Sequence, residues 1–140
     1  MTTGLDTSVV LRLLTGAPPA QAQAALEWLL VQRANGIVLT VSDLVISEIY
    51  YALQHHFRVP KQEALDKLAA FLGSGDVMAM GVAATVLATP GLATAKPGFV
   101  DRIIHQQYLQ AGAGRIGTFE RSAARLPHVQ VLAAEAHTPQ

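Results

Sequence analysis

The chain has no cysteine, a single tryptophan and few charges, and each scarcity narrows what it can be. Without cysteine there is neither a disulfide framework nor a thiolate zinc site, which suits a reducing cytoplasm, the location expected for it. Only 14% of the 140 residues are charged while 51% are hydrophobic, a balance that excludes a disordered chain and calls for a filled core. Ten acids offset ten bases. No whole-molecule field therefore draws the protein to nucleic acid, and any such binding needs a local patch. The start, "MTTGLDTSVV", lacks a basic segment followed by an apolar one, so a cleaved signal peptide is not expected. One uncharged run, Val77 to Ala95, approaches the ~20 residues that span a bilayer. Pro90, glycines and threonines interrupt it, and it reads as a strand, a helix and a loop, with no membrane span.

What is present alternates between short β-like runs and helical periods, the order of an α/β fold with a parallel sheet. This length suits one domain, with a core over about residues 3–133 and a short C-terminal tail. "TSVVLRLLTG" and "PPAQAQAALEWLLVQRANG" form a helical hairpin around Gly16 and its prolines. "IVLT", Ile37 to Thr40, is a strand. After it Ser42 caps a helix whose apolar residues are Leu44, Val45, Ile49, Tyr51, Ala52 and Leu53. Pro60 opens the next helix, with Ala64, Leu65, Leu68, Ala69 and Leu72 in one stripe, and Gly73 ends it. "DVMAM" is a strand, "GVAATVLAT" a short helix and "ATAKPG" a loop. "FVDRIIHQQYLQAGAG" is a helix stopped by glycines, and "RIGTF" and "VQVLA" are the last strands.

Four acids stand out against this pattern. Glu48 has Leu44, Val45, Tyr51 and Ala52 three and four residues away, all apolar, so a carboxylate buried on that face needs a cation or strong donors; the alternative is a glutamate at the rim of the stripe that reaches outward to water. Asp6 follows the short opening run, and Glu120 stands where "RIGTF" gives way to a helix-like stretch. Asp101 lies in the first turn of its helix. Taken singly, Asp6 and Glu120 read as N-caps and Asp101 as a partner of the helix dipole. In a parallel α/β sheet all four can converge at the C-terminal edge of the strands. Crowded carboxylates repel one another, and hard divalent cations with oxygen ligands relieve that, so a magnesium or manganese site is the hypothesis.

The same residues resemble the PIN-domain nucleases, in particular the VapC-like toxins of prokaryotic toxin–antitoxin pairs. "LDTSVVLRLL" is similar to the opening acid motif of that family, with Asp6 as first ligand, and "VSDLVISEIYYAL" to the second, with Glu48. "GFVDRII" is similar to the third and supplies Asp101, while "GTFERSAARLPHVQVL" is similar to the last strand and its turn, with Glu120 at the acid position. The resemblance runs from about Leu5 to Leu132. It implies a three-layer α/β/α fold with a central, mainly parallel sheet, a homodimer, RNA hydrolysis at a carboxylate-bound Mg2+ or Mn2+, and a small VapB-like antitoxin that blocks the site. Asp6 and Asp101 would hold the metal most directly, Glu48 would complete the cluster or orient the water, and Glu120 would act directly or through water. Thr118 and Ser8 are candidates to hydrogen-bond a ligand or phosphate, with ordinary turn roles as the alternative. Two positions depart from the pattern: Gly98 stands where many relatives carry a further Asp, and Glu120 replaces the more usual Asp.

Lys96, Arg102, Arg115, Arg121 and Arg125 fall in one interval whose only acids are Asp101 and Glu120. With those two neutralised by a metal the interval is basic, which suits an RNA backbone, although ordinary solvated arginines would look the same. His55, His56 and His105 are assigned no catalytic role. The leading expectation is thus a metal-dependent ribonuclease toxin. The departures at Gly98 and Glu120 leave a catalytically weak PIN-like RNA- or partner-binding protein as the alternative. A receiver-like phosphotransfer domain is the reading outside the family, and a strand-end Lys is missing for it.

Overall fold

The computed structural model describes residues 1–134, and the expected C-terminal tail lies outside them apart from its first residue. The described chain is a three-layer α/β/α arrangement around a mostly parallel sheet. Three strands, β1 (Thr2–Gly4), β2 (Val38–Val41) and β3 (Val77–Ala79), pair in parallel in the order β1-β2-β3, with Thr3 opposite Leu39 and Thr40 opposite Met78. Two more, β4 (Ile116–Thr118) and β5 (Val129–Val131), form a parallel pair with Gly117 opposite Gln130. Leu39, Thr40 and Val41 are buried in succession, as expected of a central strand covered on both faces.

The helices are α1 (Thr7–Thr15), α2 (Pro19–Ala34), α3 (Asp43–His55), α4 (Lys61–Gly73), α5 (Ala83–Leu87) and α6 (Phe99–Gln110), followed by a 3-10 turn at Arg121–Arg125. Their ends follow local chemistry. Helix α1 stops at Gly16, whose φ of 69° lets its N–H return to Arg12 O at 2.9 Å. Ser42 caps α3, its hydroxyl accepting from Val45 N at 3.2 Å, and Pro60 precedes α4. Val10, Leu39, Ile46, Ile49, Leu53, Leu68 and Phe99 form the centre of the core, where the Tyr50 ring meets Phe99 edge-on with centroids 5.0 Å apart. Val77 to Ala95 resolves into β3, α5 and turns, and among the described residues no helix is long and apolar enough to cross a membrane.

One expected face is wrong. The buried residues of α3 are Asp43, Ile46, Ile49, Tyr50 and Leu53, whereas Leu44 is 71% exposed and Tyr51 48%. The helix is rotated because Asp43 points inward. Its Oδ2 accepts from Val82 N at 3.0 Å and Gln107 Nε2 at 2.8 Å, and its Oδ1 from Ala83 N at 2.9 Å. Gly81 makes room for this carboxylate: a Cβ there would stand 2.1 Å from Asp43 Oδ2. A buried acid thus joins the first turn of α3 to the start of α5 and to α6.

Candidate active site

Because β1, β2 and β3 are parallel, the residues that follow them emerge at one edge of the sheet. Asp6 stands two residues beyond β1, and α3 springs from the end of β2. Asp6 and Glu48 line one open cleft of about 550 Å³, together with Thr7, Ser8, Arg12 and Val45. Each carboxylate is held by a hydroxyl from the start of α1. Thr7 Oγ1 donates to Glu48 Oε2 at 2.5 Å, and Ser8 donates to Asp6 Oδ1 from both its Oγ, at 2.6 Å, and its N, at 2.7 Å. Those bonds leave one oxygen of each carboxylate uncommitted to them. The Ser8 hydroxyl, then its backbone N–H, hold the Asp6 carboxyl below the ordinary aspartate range, and the Arg12 charge acts the same way.

Glu48 itself is exposed. The expectation that its apolar neighbours bury it is overturned by the rotation of α3, since Leu44 and Tyr51 face outward with it, and the alternative of a glutamate reaching out to water is the one observed. It is solvated and also accepts from a hydroxyl 41 residues away in sequence, so its position does not by itself demand a cation.

Asp101, exposed in the first turn of α6, opens on another cleft, lined by Tyr50, Tyr51, Gln54, Lys61 and Gly98 among others. Tyr51 lies one turn beyond Glu48 on α3, so the two clefts follow one another along that helix. Glu120 caps the 3-10 turn, its Oε1 accepting from Ser122 Oγ at 2.8 Å and Ser122 N at 3.2 Å. Ser122 lowers its carboxyl below the ordinary glutamate range, with Lys96 adding to the effect. Thr118 Oγ1 accepts from Glu120 N at 3.0 Å. Asp6 and Glu120 are therefore N-caps in geometry, and Ser8 and Thr118 each touch one of them. Among the described residues no three histidine, aspartate or glutamate side chains gather closely enough to hold a metal ion. The structure brings together Asp6 and Glu48, and leaves Asp101 and Glu120 outside that pair's cleft.

The basic residues divide likewise. Lys96, Arg115, Arg121 and Arg125 are exposed, whereas Arg102 is half-buried, with its Nε donating to Pro97 O at 2.7 Å. His105 is buried and shares with Arg102 a small cavity of about 110 Å³ that also touches Thr85 and Pro127. The cation that lines the Asp6 cleft is Arg12, which the charge pattern of residues 96–125 does not indicate. Its signal was available: Arg12 lies four residues after Ser8, on the same face of α1.

No curated protein and no solved structure was found to match the chain significantly. A family model described as the PIN domain matches residues 5–129, a span that includes Asp6, Glu48, Asp101 and Glu120. On that match, which covers most of the chain and agrees with the three-layer fold, the protein belongs to the PIN-domain family.

Proposed function

We propose that this protein is a Mg2+- or Mn2+-dependent endoribonuclease, a hydrolase of RNA phosphodiesters that serves as the toxin of a VapC-like toxin–antitoxin pair. The observation that carries the reading is the pairing of Asp6 and Glu48 in one open cleft of a PIN-domain chain. Both are hard oxygen donors. Mg2+ is commonly held by only one or two carboxylates, with water and substrate phosphate filling its other positions, so two suffice for a site of this kind. Asp6 and Glu48 would hold the ion. When bound, such an ion lowers the pKa of a water and neutralises charge growing on the phosphoryl oxygens.

The protein's own groups account for the rest. Ser8 and Thr7 fix the two carboxylates, so that neither has to be ordered when substrate arrives. Arg12 supplies positive charge at the wall of the cleft, where a phosphate would lie. Asp101 and Glu120 are assigned a role at the ends of the bound strand or through water, and Lys96, Arg115 and Arg121 the flanking phosphates. Exposed Leu44, Tyr51 and Phe119 supply apolar surface for a small antitoxin or a second copy of the chain.

A second reading, an RNA- or partner-binding protein that cuts poorly, is supported by the opening of Asp101 on its own cleft and by the departures at Gly98 and Glu120. One experiment separates the two: incubation of the protein with structured RNA and Mn2+ or EDTA, beside Asp6→Asn and Asp101→Asn. Cutting that needs metal and is lost in the variants supports the nuclease. Metal-independent cutting, or equal cutting by both variants, overturns it. A metal-induced rise in melting temperature without cutting, absent from Asp6→Asn, favours the second reading. Co-expression with the adjacent upstream reading frame tests the antitoxin, and failure of any small neighbour to co-purify counts against the toxin role.

A further inference from the structure

The first two helices leave a gap that the proposed chemistry does not use. Gln21, Ala24, Ala25 and Trp28 fall at i, i+3, i+4 and i+7 on α2, one face of that helix, and they look across at Ser8, Val9 and Arg12 of α1. The alanines are too small to close the space. A cleft of about 510 Å³ results, within the range of sites for small organic ligands, and its walls are mostly apolar. Trp28, 38% exposed, offers part of its ring there. The cleft has no acidic lining residue.

Ser8 and Arg12 line both this cleft and the one that holds Asp6 and Glu48, so the two are neighbours across a shared wall. Arg12 is also held in place. Its Nε donates to Gln21 Oε1 at 2.8 Å, and the ion pair found among the described residues, Arg33 with Asp76, does not involve it. A guanidinium on the wall between a pair of carboxylates and an aromatic-walled gap follows the order of groups along a nucleic-acid chain, in which phosphate and base alternate. Base-on-aromatic stacking is tolerant of sequence because every base has a π-face.

We propose that the α1–α2 cleft is a single-stranded RNA subsite, with one nucleobase stacked on Trp28 and its flanking phosphate on Arg12. The assignment rests on the nuclease reading of Asp6 and Glu48 and extends it to how substrate is gripped.

The chain's single tryptophan makes the test direct. The protein is titrated in EDTA with a short single-stranded oligoribonucleotide and with the same oligonucleotide made abasic, while Trp28 emission is followed. A saturable change with the intact oligonucleotide, and affinity about tenfold weaker for the abasic one, is the expected result. By anisotropy of end-labelled RNA, Trp28→Leu narrows the gap between the two oligonucleotides. Ala24→Leu fills the cleft from an exposed position and does the same with the tryptophan retained. Arg12→Met weakens both oligonucleotides and lowers the salt slope by about one.

Equal affinity for intact and abasic RNA overturns the subsite, as does an emission change produced by an amphipathic peptide and not by RNA. Cleavage with Mn2+, run in parallel, keeps the two proposals apart. Cutting whose KM is unmoved by Trp28→Leu and Ala24→Leu removes the subsite and leaves the nuclease, whereas base-dependent binding without cutting removes the nuclease and keeps the subsite.

Discussion

The Thr7 hydroxyl donates to Glu48 Oε2 at 2.5 Å, joining the first residue of α1 to the middle of α3. Hydrogen bonds to a charged group contribute about 1.5 kcal/mol or more, and the same interval in a barrier is about tenfold in rate. Thr7→Val keeps the shape and removes the donor, so metal-dependent RNA cleavage should fall about tenfold, with Thr7→Ser close to the wild type. Single-turnover cleavage rates provide the check. Equal rates for Thr7→Val and the parent would mean that the orientation of Glu48 does not matter to the chemistry.

Asp43 should prove more important to stability than any residue of the cleft. It satisfies two backbone N–H groups at the start of α5 and the Gln107 amide. Leaving the two buried backbone donors unpaired costs about 1–3 kcal/mol each, so Asp43→Ala should destabilise the fold by about 3 kcal/mol, and Asp43→Asn by less. Gly81→Ala forces a methyl group into the same carboxylate and should cost about 1–3 kcal/mol. Urea midpoints measure all three. A silent Asp43→Ala would contradict the hydrogen bonds described.

These two relationships also mark where the sequence was legible. Ser42, Pro60 and Gly16 act on the residues beside them, and the helices they bound were readable at nearly the observed limits. The face of α3 was not. Apolar side chains at Leu44, Val45, Ile46, Ile49, Tyr50, Tyr51, Ala52 and Leu53 nearly encircle the helix, so periodicity alone cannot choose which side is buried. The choice is made by Asp43, through partners from Val82 onward that no local pattern reveals. Glu48 was singled out on the premise of burial, yet it is exposed and its partner is Thr7. The family motif points to Glu48 without any premise of burial, and the structure sets that residue in the cleft of Asp6. Arg12 and Trp28 line one cleft only because the α1–α2 hairpin folds back on itself. The hairpin was expected, but the gap it leaves depends on the small alanines opposite Arg12.

Acid should weaken the fold partly through Asp6 and Glu120. Both carboxyls are held below their ordinary values in the folded protein, chiefly by Ser8 and Ser122. Their contribution is therefore complete above the unfolded values of about 3.9 and 4.3, and is lost as pH falls through the lower folded values. The urea midpoint of the wild type should drop between about pH 5 and pH 2, more steeply than that of an Asp6→Asn/Glu120→Gln double variant. Parallel profiles would show that these caps do not carry the acid sensitivity.

Glu120→Asp separates capping from catalysis. Aspartate is among the preferred N-cap residues, so it can replace the glutamate that accepts from Ser122 N, and the urea midpoint should stay close to that of the wild type. Glu120→Ala removes the acceptor and should lower the urea midpoint. The shorter carboxylate is the more usual residue at this position of the family motif, so Glu120→Asp should preserve or raise metal-dependent cleavage while Glu120→Ala lowers it. The cleavage rate and urea midpoint of both variants are measured together. Loss of cleavage in Glu120→Asp with the midpoint unchanged would mean that the site has adapted to the longer arm. Unchanged cleavage in Glu120→Ala would reduce Glu120 to the cap it already is in geometry.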